Sequence, residues 1–197
     1  MKDLKQYEDD FRLVRAFQAG DEKAFEELIR KYQRQVANII YLSLGDREIV
    51  QDLVQEVFIR VFKSVRHFEF DSSFYSWLYR ITVNLCIDEI RRRKFKRTFS
   101  LGFLSNEQVD EKLAHFEKSH TPSDLLLEGE KKETVLKALQ KLNVHHRAVL
   151  ILREYEDLSY EEIAKTLTIS VQAVKSRIFR AREEMRKLLR EYFKERL

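Results

Sequence analysis

Residues Leu158 to Arg182 read LSYEEIAKTLTISVQAVKSRIFRAR, and this stretch decides the fold class. Ser159 can accept a backbone N–H at a helix start while Glu162, three residues on, reaches back to the Ser159 amide, so a capping box opens a helix here. Ile163, Ala164 and Leu167 form its inner face. The turn falls at Thr168 and Ile169, after which Ser170 can cap a second helix. In that helix Val171, Val174, Ile178, Ala181, Met185 and Leu188 recur at three- and four-residue spacing, as a buried stripe does. Two helices, a tight turn and a basic second helix make a helix-turn-helix.

Gln172, Lys175, Ser176, Phe179 and Arg180 fall on a neighbouring face of the second helix. Lys and Arg there can reach guanine edges or phosphates, Gln and Ser can read base edges, and an aromatic ring can meet a thymine methyl. The plainer alternative is a solvated basic helix, but the capping box, the turn and the two faces all point to a DNA-reading element.

The chain has 197 residues with four Gly and one Pro, too few for turn-rich sandwich or barrel folds. An almost entirely helical protein of two small domains is expected. The net charge of +4 is modest, but it is clustered: Arg91 to Arg97 reads RRRKFKR, and Lys175 to Arg196 is again basic. Two separated basic segments suit contact with phosphate at two places. Cys86 is the one cysteine and lies in an apolar run, so it reads as a buried thiol and not as part of a disulfide or zinc site. The start of the chain is charged and no apolar run approaches the length of a membrane span, so a cytoplasmic protein is expected.

Four helices are expected in the first half. Asp9 to Ala19 closes on Gly20, Asp21 to about Leu44 closes on Gly45, Arg47 to about Val65 is capped by Asp46, and Phe74 to Lys96 follows a loop from Arg66 to Ser73. From Thr98 to Pro122 the periodicity fails, which marks a linker. Four further helices are expected at Asp124 to Leu142, His145 to Tyr155, Ser159 to Leu167 and Ser170 to about Phe193. The division is therefore 1–97, 98–122 and 123–197.

On the third helix Asp52, Gln55 and Glu56 form a polar stripe suited to a basic partner. After it come His67, Phe68, Phe70, Phe74, Tyr75, Trp77 and Tyr79, with Trp77 assigned to the core. More aromatics lie here than one small core needs, and rings beside a basic helix suit single-stranded DNA, with stacking for bases and cations for phosphates.

Three motifs together resemble the small two-domain bacterial sigma factors of the extracytoplasmic-function (ECF) group in the sigma-70 family. They are DLVQEVFIRVF from Asp52 to Phe62, FYSWLYRITVN from Phe74 to Asn84, and YEEIA from Tyr160 with VKSRIFRAR from Val174 to Arg182. The resemblance spans nearly the whole chain in the family's order. It implies a transcription initiation factor, often serving a stress response, that binds RNA polymerase core and directs it to promoters with −10 and −35 elements. Asp52, Gln55 and Glu56 would dock on the β′ clamp helices, with the β subunit also engaged. His67, Phe68, Phe70, Asp71, Ser72, Tyr75 and Asn84 match the region that captures a flipped base of the −10 element; Arg80, Arg91, Arg92 and Arg93 would hold the backbone. Extruding a base costs a few kcal/mol of stacking, so a preformed pocket is needed. Ser170, Gln172, Lys175, Ser176, Arg177, Phe179 and Arg180 would read the −35 duplex. The linker would run toward the RNA exit path, and an anti-sigma factor is an implied partner. Many relatives carry Gly or a small residue where this chain has Phe70, which leaves the shape of the base pocket open.

Two other readings compete. A conventional helix-turn-helix regulator would need a ligand pocket or a phosphoacceptor domain in the first half, and the pattern there has no alternation of strands and helices. An enzyme acting on nucleic acid would need a nucleophile with its base, a metal-ligand spacing or a phosphate-cradling Gly loop, and none is evident. No catalysis, cofactor or metal is therefore expected.

Overall fold

The computed structural model of the chain describes residues 4–103 and 123–194, with side chains from Tyr7 to Lys96 and from Lys131 to Arg190. Among the described residues the regular structure is all helical. The helices are α1 (Leu4–Gln18), α2 (Glu22–Leu44), α3 (Val50–Ser64), α4 (Phe74–Phe103), α5 (Ser123–Lys141), α6 (Val144–Glu154), α7 (Tyr160–Leu167) and α8 (Val171–Lys194). A single 3-10 turn, Val65–His67, follows α3. None of the described helices is long and apolar enough to cross a membrane.

Local chemistry accounts for most of the helix ends. Asp21 accepts the Lys23 amide at the start of α2, and Gly45 closes that helix at φ +71, where a residue with a Cβ is strained. Gly45 also admits a neighbour, because an added Cβ would lie 3.1 Å from the Gln140 side chain. Asn143 accepts the His145 amide at the start of α6. Asp46 departs from the expected role: α3 starts at Val50 with no side-chain cap, while Asp46 accepts the Glu48 amide and pairs with Arg93 at 2.9 Å. Helix α4 continues past Lys96 to Phe103, so the opening of the expected linker is helical; residues 104–122 lie outside the described residues.

Helices α1 to α4 pack around Val14, Phe17, Leu28, Tyr32, Val36, Ile39, Val57, Val61 and Leu78, all buried. Asp10, buried on α1, accepts Lys31 at 2.5 Å and the Tyr32 hydroxyl, which clips α1 to α2. In the second half Val149, Leu152, Ile163, Val174 and Ile178 are buried in the same cluster, so one apolar core runs through both halves. The two halves lie against each other, with α4 against α7 and α2 against α5 and α6.

Arg147, on α6, pins this seam. The residue is 7 % exposed and donates to the Ser43 carbonyl at the end of α2. It also donates to Gln140 Oε1 at 2.6 Å, the Gln140 carbonyl at 2.5 Å and the Leu142 carbonyl at 3.2 Å, around the end of α5. Helix C-termini carry partial negative charge, so two helix ends from different halves stand in for a counter-ion. Gln140 Nε2 reinforces the contact by donating to the Leu42 carbonyl at 2.8 Å.

Removing the guanidinium leaves these carbonyls without their donor in a largely buried seam. Arg147→Ala is expected to lower the unfolding free energy by about 2–4 kcal/mol in urea titration, and Arg147→Lys to recover little, because one ammonium cannot reach both helix ends.

Candidate nucleic-acid interface

The capping box at the start of α7 is complete: Ser159 Oγ accepts the Glu162 amide at 3.2 Å, and Glu162 Oε2 accepts the Ser159 amide at 2.7 Å. Thr168 ends the helix in the left-handed region at φ +55, and Ser170 Oγ caps α8 by accepting the Ala173 amide at 3.1 Å. Val174, Ile178 and Ala181 are buried by this turn geometry, which rotates the opposite face outward. Gln172, Lys175, Ser176, Phe179 and Arg180 are all exposed, Phe179 by 68 %, while Arg177 is half-buried.

The loop before α4 is held from below. Gln18 Nε2 donates to the carbonyls of Val65 at 3.0 Å and Phe68 at 3.1 Å, and Ser73 Oγ accepts the Ser76 amide at 3.2 Å to start α4. His67 and Asp71 are exposed and Ser72 is half-buried. Phe68 corrects the sequence reading: it is 6 % exposed, with its ring against Phe70, Phe74 and Trp77, so it supports the loop and offers no free face for a base. Trp77 is only half-buried, although the sequence placed it in the core. Asn84, Arg91 and Arg92 are exposed, but Arg92 and Arg93 both bind the buried Glu89, whose pKa stays below the ordinary value: burial pushes it up, and the two guanidiniums outweigh that.

Phe70 occupies the left-handed region at φ +63. A bulky side chain rarely adopts that conformation, which glycine accepts freely. Its ring is retained there by an edge contact to Phe11 at 5.1 Å and by the Arg15 guanidinium 5.2 Å from its centroid.

Tyr75 is fully buried. Its hydroxyl donates to Glu162 Oε1 of α7 and lies 2.6 Å from the hydroxyl of Tyr7, which itself reaches the same oxygen at 3.2 Å. Burial first, and the bond to Glu162 next, raise the Tyr75 pKa. Glu162 has the opposite shift: burial opposes its charge, but the donors from Tyr75, Ser159 and Tyr7 hold its pKa below the ordinary value. Tyr79 makes a parallel link, donating to Glu156 at 2.7 Å.

A cleft of about 890 Å³ separates the loop from the helix-turn-helix, with His67, Asp71, Trp77 and Arg80 on one wall and Lys165, Thr168, Ile169 and Ser170 on the other. Asp52 and Gln55 are exposed on α3, and Glu56 pairs with Arg60 at 2.8 Å. One turn further on, Ile59 and Phe62 are 48 % and 44 % exposed.

Two family models match the chain, one in each half. Residues 28–96 match the family model for sigma-70 region 2, and residues 132–185 match that for sigma-70 region 4. The chain belongs to the sigma-70 family, in the ECF group. Among its relatives, the RNA polymerase sigma-H factor of Pseudomonas aeruginosa is 36% identical over 194 residues, covering 95% of this chain and 97% of the relative. The ECF RNA polymerase sigma-E factor of Escherichia coli is 36% identical over 188 residues, covering 87% of this chain and 89% of the relative. Among solved structures, CnrH in complex with the cytosolic domain of CnrY superposes with a TM-score of 0.68 at 26% identity, over 93% of this chain and 98% of that one. The sigma factor RpoE in complex with the anti-sigma factor NepR from Bartonella quintana shares the fold, with a TM-score of 0.65 at 24% identity over 85% of this chain and 98% of that one.

In this sigma factor, region 2 holds the α3 stripe and the loop, and region 4 holds the helix-turn-helix. Sequence reasoning missed three features. Ile59 extends the stripe with apolar surface, but a solvated apolar residue on an amphipathic helix has no signature of its own. Glu162 was legible as a cap and not as a partner of Tyr7 and Tyr75, which lie far away in the chain. The third is a groove of about 850 Å³ lined by Val135, Leu139, Leu150, Tyr155, Met185 and Leu189, with Arg182, Arg186 and Arg190 beside it, which exists only where α5, α6 and α8 meet.

The strain at Phe70 can be measured directly. Phe70→Ala loses the ring and keeps the strained backbone, whereas Phe70→Gly loses the ring and relaxes it. Both variants are expected to be less stable than the parent, with the Gly variant more stable than the Ala variant by about 1 kcal/mol in thermal or urea unfolding.

Proposed function

We propose that this sigma factor binds RNA polymerase core and directs it to promoters by reading a −10 and a −35 element, with residues 1–97 and 123–197 as the two working units and 98–122 joining them. The observation that carries the reading is the outward face of α8, where Gln172, Lys175, Ser176, Phe179 and Arg180 are exposed over the buried stripe of Val174, Ile178 and Ala181. Cations, amide and hydroxyl donors and one ring on a capped helix suit the major groove. Ser170 and the half-buried Arg177 flank this face.

Core docking is assigned to Asp52, Gln55 and Glu56, with Ile59 adding apolar contact. Acidic and amide groups around an apolar centre suit a basic helical partner. The −10 strand is assigned to His67, Phe70, Asp71, Ser72, Tyr75, Arg80 and Asn84, supported from beneath by Phe68, with Arg91 to Arg93 along the backbone. Linked units raise each other's effective concentration, so weak recognition at each element is enough once core sets their separation. The solved relatives CnrH and RpoE were captured with CnrY and the anti-sigma factor NepR, which supports a comparable inhibitory partner here.

The deciding experiment is association of the purified chain with core polymerase, followed by run-off transcription on a fragmented genomic library against core alone. New start sites sharing two upstream elements support the reading; duplex binding with neither core association nor initiation would replace it with a conventional regulator. Arg180→Ala is expected to weaken promoter binding by about 1–3 kcal/mol while leaving affinity for core intact, as read by fluorescence anisotropy. Asp52→Ala with Glu56→Ala is expected to lower affinity for core and to spare binding of −35 duplex by region 4.

A further inference from the structure

Helix α1 lies ahead of residues 28–96, the segment that matches the region 2 model, yet one of its faces is turned to the loop before α4. Leu13, Val14 and Phe17 are buried in the core and account for one side of the helix. Phe11, Arg15 and Gln18, at i, i+4 and i+7, make a second stripe, half-buried at Phe11 and Gln18 and exposed at Arg15. Every member of that stripe touches the loop. Phe11 and Arg15 hold the Phe70 ring, at 5.1 Å and 5.2 Å from its centroid. Gln18 Nε2 donates to the carbonyls of Val65 at 3.0 Å and Phe68 at 3.1 Å, with the Arg66 carbonyl at 3.5 Å.

The two nearer carbonyls are the ends of the 3-10 turn. The Val65 carbonyl also accepts the Phe68 amide at 3.1 Å, and the chain becomes extended at Phe68. A glutamine amide carries two N–H donors, so one can serve each end of the turn. The turn's own bond spans three residues and gives it a shape, but it does not fix where the turn stands. Gln18 is 47 and 50 residues from these acceptors, and it ties the turn to a helix anchored in the core.

We infer that Gln18, backed by Arg15, is the positioning residue of the −10 loop, acting through the placement of His67, Phe70 and Asp71 and not by contact with a base. The inference rests on the assignment of that loop to the −10 strand. Extruding a base already costs stacking energy, so the pocket that receives it has to be in place beforehand. A loop that samples other placements binds its base in proportion to the fraction of molecules in the right one. Phosphate contacts from Arg80 and Arg91 come from α4 and do not pass through the loop. Base contacts specify and phosphate contacts hold, so the signature of a positioning role is lost base preference with backbone affinity retained.

The test uses holoenzyme assembled from core polymerase and the full chain. The probes are fluorescent single-stranded oligonucleotides carrying the non-template −10 sequence of a promoter mapped by run-off transcription, and the same strand with each −10 base in turn made abasic. Anisotropy gives the ratio of intact to abasic affinity at each position. Gln18→Glu keeps the shape of the side chain and, when ionised, offers acceptors only. It should lower affinity for the intact strand about tenfold, the equivalent of the two shorter bonds. Affinity for the strand that lacks the captured base, and affinity for core, should change little, so the ratio at that position falls toward one. Arg15→Ala, at an exposed position, frees the Phe70 ring without touching the turn and should lower the same ratio by a smaller factor.

The positioning role is overturned if Gln18→Glu assembles with core and keeps the parent's ratios. If that variant loses core binding, Arg15→Ala decides, and an unchanged ratio there overturns the role. A parent chain that yields no mapped promoter, or whose holoenzyme binds intact and abasic strands equally, overturns the assignment of the loop to the −10 strand instead, and the positioning role with it.

Discussion

The seam between the two halves is built around a buried cation whose hydrogen-bond acceptors are helix-end carbonyls and one side-chain amide. Arg147 enters the seam with its charge opposed by burial, and it is tolerated because the ends of α2 and α5 turn their carbonyls toward it. A guanidinium can do this because its donors fan out in one plane, so one side chain satisfies acceptors from two helices. The geometry brings Gly45 and Gln140 together, where a Cβ on residue 45 would lie 3.1 Å from the Gln140 side chain. Around that fixed point the apolar surfaces of α2, α4, α6 and α7 close into one core.

At the other end of the seam the chemistry reverses sign. Glu162 and Glu156 are carboxylates that receive phenolic hydroxyls from α4. These bonds are directional and partly exposed at the Glu162 side, unlike the enclosed contacts of Arg147. Polar links of this kind give a seam a defined register while contributing modestly to its strength, because each group exchanges one good partner, water, for another.

The loop before α4 follows a different economy. Phe70 sits in a conformation suited to glycine, and its ring contacts with Phe11, Phe68 and Arg15 offset the backbone strain. The loop therefore acquires a bulky ring at a position whose backbone suits glycine. Phe68 lies beneath it as support, and the exposed rim of the loop is made by His67 and Asp71, with Trp77 and Arg80 in the adjoining cleft.

Much of this was legible in the order of residues. The capping box of Ser159 and Glu162, the Gly45 stop, the stripe of Val174, Ile178 and Ala181 and the outward face of Gln172 to Arg180 are all local, because helix periodicity and capping involve residues within a few positions of one another. Asp46 misled for the same reason: its position before a helix is a capping signal, and only the fold reveals that Arg93 takes one of its oxygens. The burial of Phe68, the half-exposure of Trp77, the groove between α5, α6 and α8 and the meeting of Tyr7, Tyr75 and Glu162 depend on which helix faces lie against each other. Amphipathic pattern determines that a face is buried; it does not say against what. That choice was made by tertiary packing, where Arg147 and the two tyrosine–carboxylate links brought halves of the chain together that local sequence could only describe one at a time.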